Sequence, residues 1–181
     1  MAASCAEKTF ATTTIGDIVA HAGVSRATFY KHFENKQECF EAAVKFFLAE
    51  LEAVANAAHA SAAPGSEALH SSTAAVLEIL SANPAYSKLI LIEAPAVDPL
   101  IIGRYRALLI GALKAEWAPR KKPGSSGADP HIAFGRAQVL MADYIATDRI
   151  EHFPELLREL VYIALLPFVG QDNALKEAKV G

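Results

Sequence analysis

The chain is poor in the features on which metalloproteins, secreted proteins and membrane proteins are built. Its 181 residues include two cysteines, Cys5 and Cys39, whose spacing matches neither a metal site nor a redox pair, so both are expected as free, reduced thiols. No cationic stretch leads into an apolar signal segment. Apolar runs such as Leu89 to Ile92 and Ile163 to Val169 fall far short of the roughly 18 residues that a membrane span requires. There is no Gly-rich phosphate loop and no His-Glu-x-x-His helix, and Gly124-Ser125-Ser126-Gly127 lacks the spacing of a nucleophile elbow. His59, His70, His131 and His152 are scattered singles. Glu151, Glu155 and Glu159 fall at four-residue spacing, which is far more often a solvated helix stripe than a catalytic pair. Neither enzymatic activity nor a cofactor or metal is expected, and the protein is expected in the cytoplasm.

An excess of positive charge is missing too. Seventeen basic residues face twenty acidic ones, for a formal net charge of −3, so total charge does not itself suggest nucleic acid. Within residues 1–50, Glu7, Asp17, Glu34, Glu38, Glu41 and Glu50 oppose Lys8, Arg26, Lys31, Lys36 and Lys45. What remains informative is placement, because Arg26, Lys31, His32 and Lys36 converge on one short element. Period-two alternation and solenoid repeat lengths are also absent. With 52% hydrophobic residues, the chain has ample material for a buried core and reads as all-α.

The stretch from Thr12 to Lys36 reads as a helix-turn-helix. Thr14, with Asp17 three residues on, can cap a helix start from both directions. Ile15, Ile18, Val19 and Ala22 then share one helical face, and Gly23 can end the helix in a left-handed conformation. Val24 can turn inward, and Ser25 can cap a second helix beginning at Arg26. Phe29 and Phe33, four residues apart, can pack on the first helix, leaving Ala27, Tyr30 and Lys31 outward. A major groove admits one such helix, with Arg26 and Lys31 placed to meet base edges while hydroxyls and other cations hold phosphates. A short helix carrying a few charges is more often merely a solvated face, but the whole stretch constrains the reading more than any single residue.

The segment GVSRATFYKHFENK, Gly23 to Lys36, resembles the signature of TetR-type transcriptional regulators, roughly G-V-S-x-x-T-[LFI]-Y-x-H-F-x-x-K, and fills every fixed position. The resemblance covers about residues 5 to 48. It implies an N-terminal helix-turn-helix domain, residues 1–48, followed by a helical effector-binding and dimerisation domain, residues 49–181. Carried over by position, Thr28, Tyr30, His32 and Lys36 match phosphate-contacting residues, Thr14 matches a further backbone contact, and Arg26, Ala27 and Lys31 match base-facing residues. Two departures stand out. Gly16 occupies a position where many members place a long polar side chain toward DNA. Only MAASCAEKTF precedes the threonines, so the first helix is expected to be shortened, with Ala6, Glu7, Lys8 and Phe10 matching its tail.

Downstream, spacing predicts a long helix from Asn35 through Phe40, Val44, Phe47, Leu48 and Leu51, then one over Glu67–Ser81. Asn83-Pro84, Asp98-Pro99 and Asp129-Pro130 each mark a helix start, with ends at Pro95, Pro119 and about Arg149. Residues 119–130 read as a loop, and a last helix is expected over Pro154–Val169, ended or kinked by Pro167. That helix is apolar nearly all round, so one side is expected to face a two-fold partner through Leu157, Leu160, Val161, Ala164, Leu165 and Phe168. In relatives the helices carrying Tyr105, Trp117, Phe134, Met141 and Tyr144 line a pocket; these residues are candidates, with Arg104, Glu93 and Asp143 to orient a polar ligand group, although each aromatic taken alone reads first as plain core. The expected function is sequence-specific binding of a near-palindromic double-stranded DNA operator by a homodimer, most simply a repressor released by a small-molecule effector. The alternative is a dimeric ligand-binding or interaction protein whose shortened first helix no longer supports DNA binding.

Overall fold

The computed structural model describes residues 1–120 and 129–179. Among these, every regular element is helical. Short helix α1 (Ala2–Glu7) leads through a turn of threonines into α2 (Ile15–Ala22) and α3 (Arg26–His32). The 26-residue α4 (Lys36–Ser61) is capped by Asn35, whose side chain accepts the Glu38 N–H. Then come α5 (Ser66–Ala82), α6 (Pro84–Lys88), a π-helical turn over Leu89–Glu93, and α7 (Ala94–Val97). Helix α8 (Pro99–Trp117) starts at Asp98, which accepts the N–H groups of Leu100 and Ile101, and α9 (Pro130–Ala146) starts at Asp129 in the same way. A 3-10 turn over Ile150–Leu156 feeds α10 (Leu157–Val169), and α11 (Gln171–Glu177) closes the fold.

Several expectations need correction. Pro95 does not end a helix; it lies in α7, directly after the π turn. A proline ring clashes with the carbonyl four residues back in an α-helix and offers no N–H. The wider turn, with the Ala94 N–H reaching back to Leu89 O, accommodates it. Helix α9 stops short of Arg149 because Asp148 takes a left-handed φ of 54°. Val24 is 42% exposed rather than turned inward. Pro167 sits inside α10, which stops at Gly170, φ 77°. Of the expected loop 119–130, residues 121–128 lie outside the described residues, as do Gly124-Ser125-Ser126-Gly127.

Three apolar clusters hold the elements. The largest joins Phe40, Val44, Phe47 and Leu51 of α4 to Leu77 and Leu80 of α5, Leu89, Ile90, Phe153 and Leu156, and it includes Ala2 and Cys5 of α1. Trp117 gathers Leu69, Val161, Leu165, Phe168 and Ala174 in a second. The third is small and local to the helix-turn-helix: Ile18, Phe29 and Cys39, with Ile15, Val19 and Phe33 against it. Helix α4 therefore packs on α2 and α3 through Cys39 and on the main core one residue later through Phe40. Full burial of one such side chain contributes about 1.5–3 kcal/mol. No single helix among the described residues is long and apolar enough to cross a membrane.

Candidate nucleic-acid interface

The geometry of the helix-turn-helix follows from its caps. The Thr14 hydroxyl oxygen accepts the Asp17 N–H at 3.2 Å, and Asp17 Oδ2 accepts the Thr14 N–H at 2.8 Å. Lys8 also donates to Asp17 at 2.7 Å. The Lys8 ammonium, ahead of the Thr14 hydrogen bonds, holds the Asp17 carboxyl well below the usual carboxylate range. Gly23, at φ 64°, closes α2. The Ser25 hydroxyl oxygen accepts the Thr28 N–H at 3.0 Å and opens α3. Phe29 is 4% exposed and meets Phe33 with ring centroids 5.5 Å apart. That anchoring leaves Arg26, Ala27, Tyr30, Lys31 and His32 exposed on α3, with Thr28 half-buried. One short helix thus presents two cationic side chains, an aromatic phenol and an imidazole to solvent.

Gly16 now has a local explanation. A Cβ there would lie 3.4 Å from Nη2 of Arg26 and 3.3 Å from the Thr14 hydroxyl. The guanidinium therefore rests across the start of α2, where a long side chain would meet it.

Lys36 is placed differently from the phosphate contact expected of it. Its ammonium donates to Phe10 O at 2.7 Å and Thr13 O at 2.8 Å, with Ala11 O at 3.4 Å, and stands 4.3 Å from the Phe10 ring centroid. These carbonyls belong to the turn between α1 and α2, so the cation fastens that turn to α4. The same turn is held from the other side. Buried Glu93, in the π turn, accepts the Phe10 N–H at 2.8 Å, and Lys88 donates to Ala6 O at 3.0 Å. Thr13 is fully buried and donates to Thr9 O at 2.8 Å. Sequence reading missed the Glu93 and Lys88 contacts because they join residues more than 80 positions apart.

Helix α1 is tied to α2 by His21. Its Nδ1 lies 3.0 Å from Asp17 O and 3.2 Å from the Ser4 hydroxyl, and its Nε2 lies 3.1 Å from Glu7 Oε1. The Asp17 carbonyl first, then the Glu7 carboxylate, raise the His21 pKa. Burial pushes both the Cys5 and Cys39 thiols up, which keeps them protonated and inert.

The residues proposed to line an effector pocket are not brought together. Trp117 belongs to the second cluster, whereas Tyr105, Met141 and Tyr144 pack against the main core. Burial pushes the Tyr105 hydroxyl up to about 12, with the Glu52 charge adding to it. Phe134 lines a small apolar cavity of about 70 Å³ between α8, α9 and α10. Glu93 is committed to Phe10, Asp143 pairs with Arg149 at 3.0 Å, and Arg104 is exposed. A larger cavity of about 420 Å³ contains Trp117 but none of the other seven candidates.

The expected dimer face also divides. Val161, Leu165 and Phe168 are buried inside the protomer, because α11, which sequence reading missed, folds back with Ala174 onto the same cluster. Leu160 is buried in the main core, while Leu157 and Ala164 are half-buried. Large apolar side chains left exposed include Leu100 and Leu108 on α8, and Ile132 and Val139 on α9. Among the described residues no group of three or more His, Cys, Asp or Glu could hold a metal ion.

Residues 2–43 match the family model described as bacterial regulatory proteins, tetR family. No curated protein and no solved structure matches the chain. The matched span covers α1, the clamped turn, α2, α3 and the start of α4, so the capped, outward-facing recognition helix lies wholly within it. Over residues 2–43 the chain is thus similar to the tetR family of bacterial regulatory proteins, a family of DNA-binding transcription regulators.

Proposed function

We propose that the protein is a cytoplasmic homodimeric repressor that binds a near-palindromic operator and leaves it when a small effector binds. Residues 1–48 supply DNA binding, and residues 49–181 supply dimerisation and effector binding. The observation that carries this reading is the exposed face of α3, with Arg26, Tyr30 and Lys31 standing on a helix pair fixed by two caps and by Phe29. Arg26, Ala27 and Lys31 face base edges; Thr14, Thr28, Tyr30 and His32 serve the backbone. Lys36 acts on phosphate only by giving up carbonyl contacts, and otherwise positions the turn before α2.

Two recognition helices related by a two-fold axis reach successive major grooves when they stand about 34–36 Å apart. The half-buried faces of α9 and α10 around the small apolar cavity lined by Phe134, Ala137, Ile163 and Ala164 are the surface proposed for the second copy. Repression follows from excluding polymerase. Release requires that the effector bind one separation of the two helices better than the other.

The test is fluorescence-anisotropy titration of the full chain with the intergenic DNA beside its own gene, in the presence of unrelated competitor and at several salt concentrations. Tight, competitor-resistant binding by a dimer is expected, weakening as salt rises. Absence of binding, or binding fully removed by unrelated DNA, overturns the reading. The opposing possibility, a ligand-binding protein without DNA affinity, would then stand.

A further inference from the structure

The cavity of about 420 Å³ lies where the α4–α5 connection meets the ends of α8 and α11, and Gly65, Ser66, Trp117, Arg120 and Glu177 line it. Its volume is within the range of about 300–1,000 Å³ typical of small-molecule sites. Trp117 is 4% exposed and forms an aromatic wall. Over that wall stands the Arg120 guanidinium, 5.4 Å from the ring centroid. Arg120 Nη1 is 3.8 Å from Glu116 Oε1, and a Cβ on Gly65 would come within 2.7 Å of that same Nη1. Gly65 sits at φ +111°, a backbone conformation that strains any side chain there, while the Arg120 tip beside it is free to shift.

The charged groups lining the cavity are the Glu177 carboxylate and the Arg120 guanidinium, with Glu116 behind them, 3.8 Å from both Arg120 and the His59 imidazole. Glu116 Oε1 accepts the Gly65 N–H at 3.1 Å, and Glu177 Oε2 accepts the Ser66 hydroxyl at 2.7 Å. The protein's own acids thus already serve the start of α5, where an incoming anion would otherwise find donors. The cationic place is held less firmly. Arg120 is a long side chain, 43% exposed, whose charge partner lies at 3.8 Å rather than at hydrogen-bond distance. A cation over an aromatic face is attracted by the ring's negative quadrupole, most strongly for tryptophan.

We propose that this cavity binds a small organic cation, which takes the place of Arg120 over Trp117 beside Glu177. Arg120 is the resident competitor: it swings toward solvent when the ligand enters and returns when it leaves. The site is separate from the DNA-binding face, and its test does not involve DNA.

Trp117 is the sole tryptophan, so its emission reports on the cavity directly. Benzyltrimethylammonium, titrated into the full-length protein, is expected to change that emission saturably, whereas benzenesulfonate is not. Removing the competitor by Arg120→Ala should tighten the cation about three- to tenfold, and Glu177→Gln should weaken it by a similar factor. Circular dichroism of the two variants is expected to match the parent. If either variant unfolds, the comparison of the two probes on the parent protein still decides. Saturable benzenesulfonate binding that Arg120→Ala abolishes would make this an anion site. No saturable response to the cation in parent and Arg120→Ala alike would leave no ligand site at all. Either result overturns the proposal.

Discussion

At the scale of single residues, the helix-turn-helix rests on contacts of short reach, and these were legible in the sequence. Thr14, Gly23 and Ser25 act where their chemistry placed them, because a cap depends on neighbours three positions away. Thr14→Ala should cost about 1 kcal/mol of stability, read by denaturant unfolding. His21 was not legible, since Ser4 and Glu7 reach it only once α1 has folded back. Its raised pKa gives the α1–α2 joint a pH dependence of definite sign. Protonated His21 donates to both the Asp17 carbonyl and Glu7, so the stabilisation is fully present below the ordinary histidine value of about 6.5 and is lost as pH rises through the folded value. Removing the ring with His21→Ala should therefore lower the unfolding midpoint more at pH 5.5 than at pH 8. Equal losses at the two values would sink this account. Asp17 has the opposite sign: its contribution is present at neutral pH and is lost only in strong acid.

At the scale of elements, the long helix α4 behaved as its spacing predicted, because one unbroken apolar stripe determines both its length and its buried face. Phe40 is fully buried and meets the Phe10 ring at 4.6 Å. Truncating it with Phe40→Ala should cost about 3–5 kcal/mol, measured by chemical denaturation, and should also loosen the turn before α2. The last helices were misread for an equally physical reason. An apolar circumference states that a helix is covered on all sides without stating by what. In α10 the cover on one side is α11, whose seven residues, Gln171–Glu177, carry too little pattern to announce a helix. The pocket candidates show the same ambiguity, since aromatic residues on three helices can serve one cavity or several packing sites, and here they are spread over two clusters and a small cavity.

For the whole molecule, the all-helical class was legible and the connection between its two ends was not. Arg26→Ala or Lys31→Ala is expected to weaken operator binding and relax site preference, whereas Tyr30→Ala weakens binding across sequences. Anisotropy titrations against operator and scrambled duplexes separate the two effects. If none of the three changed affinity, α3 would not be the groove-facing helix. Glu93 is the residue through which the C-terminal half holds the turn before α2. Glu93→Ala leaves the Phe10 N–H without its acceptor, at a cost of about 1–3 kcal/mol, whereas Glu93→Gln keeps an acceptor oxygen and should behave nearly as the parent. Hydrogen exchange should show faster exchange for residues 9–14 in the alanine variant alone.

The π turn at Leu89–Glu93 gives that connection a further property. Such a turn is in effect an α-helix carrying one surplus residue, so the segment holds one residue of slack beside the carboxylate that grips Phe10. Deleting a single residue there would draw the segment into plain α-helical register, leaving the flanking turns nearly in phase but closing the widened turn from which Glu93 reaches Phe10. Glu93 would then approach Phe10 from a narrower turn, while Lys88, before the bulge, would keep Ala6 O. The grip on Phe10 therefore depends on one surplus residue in the chain as much as on the carboxylate itself.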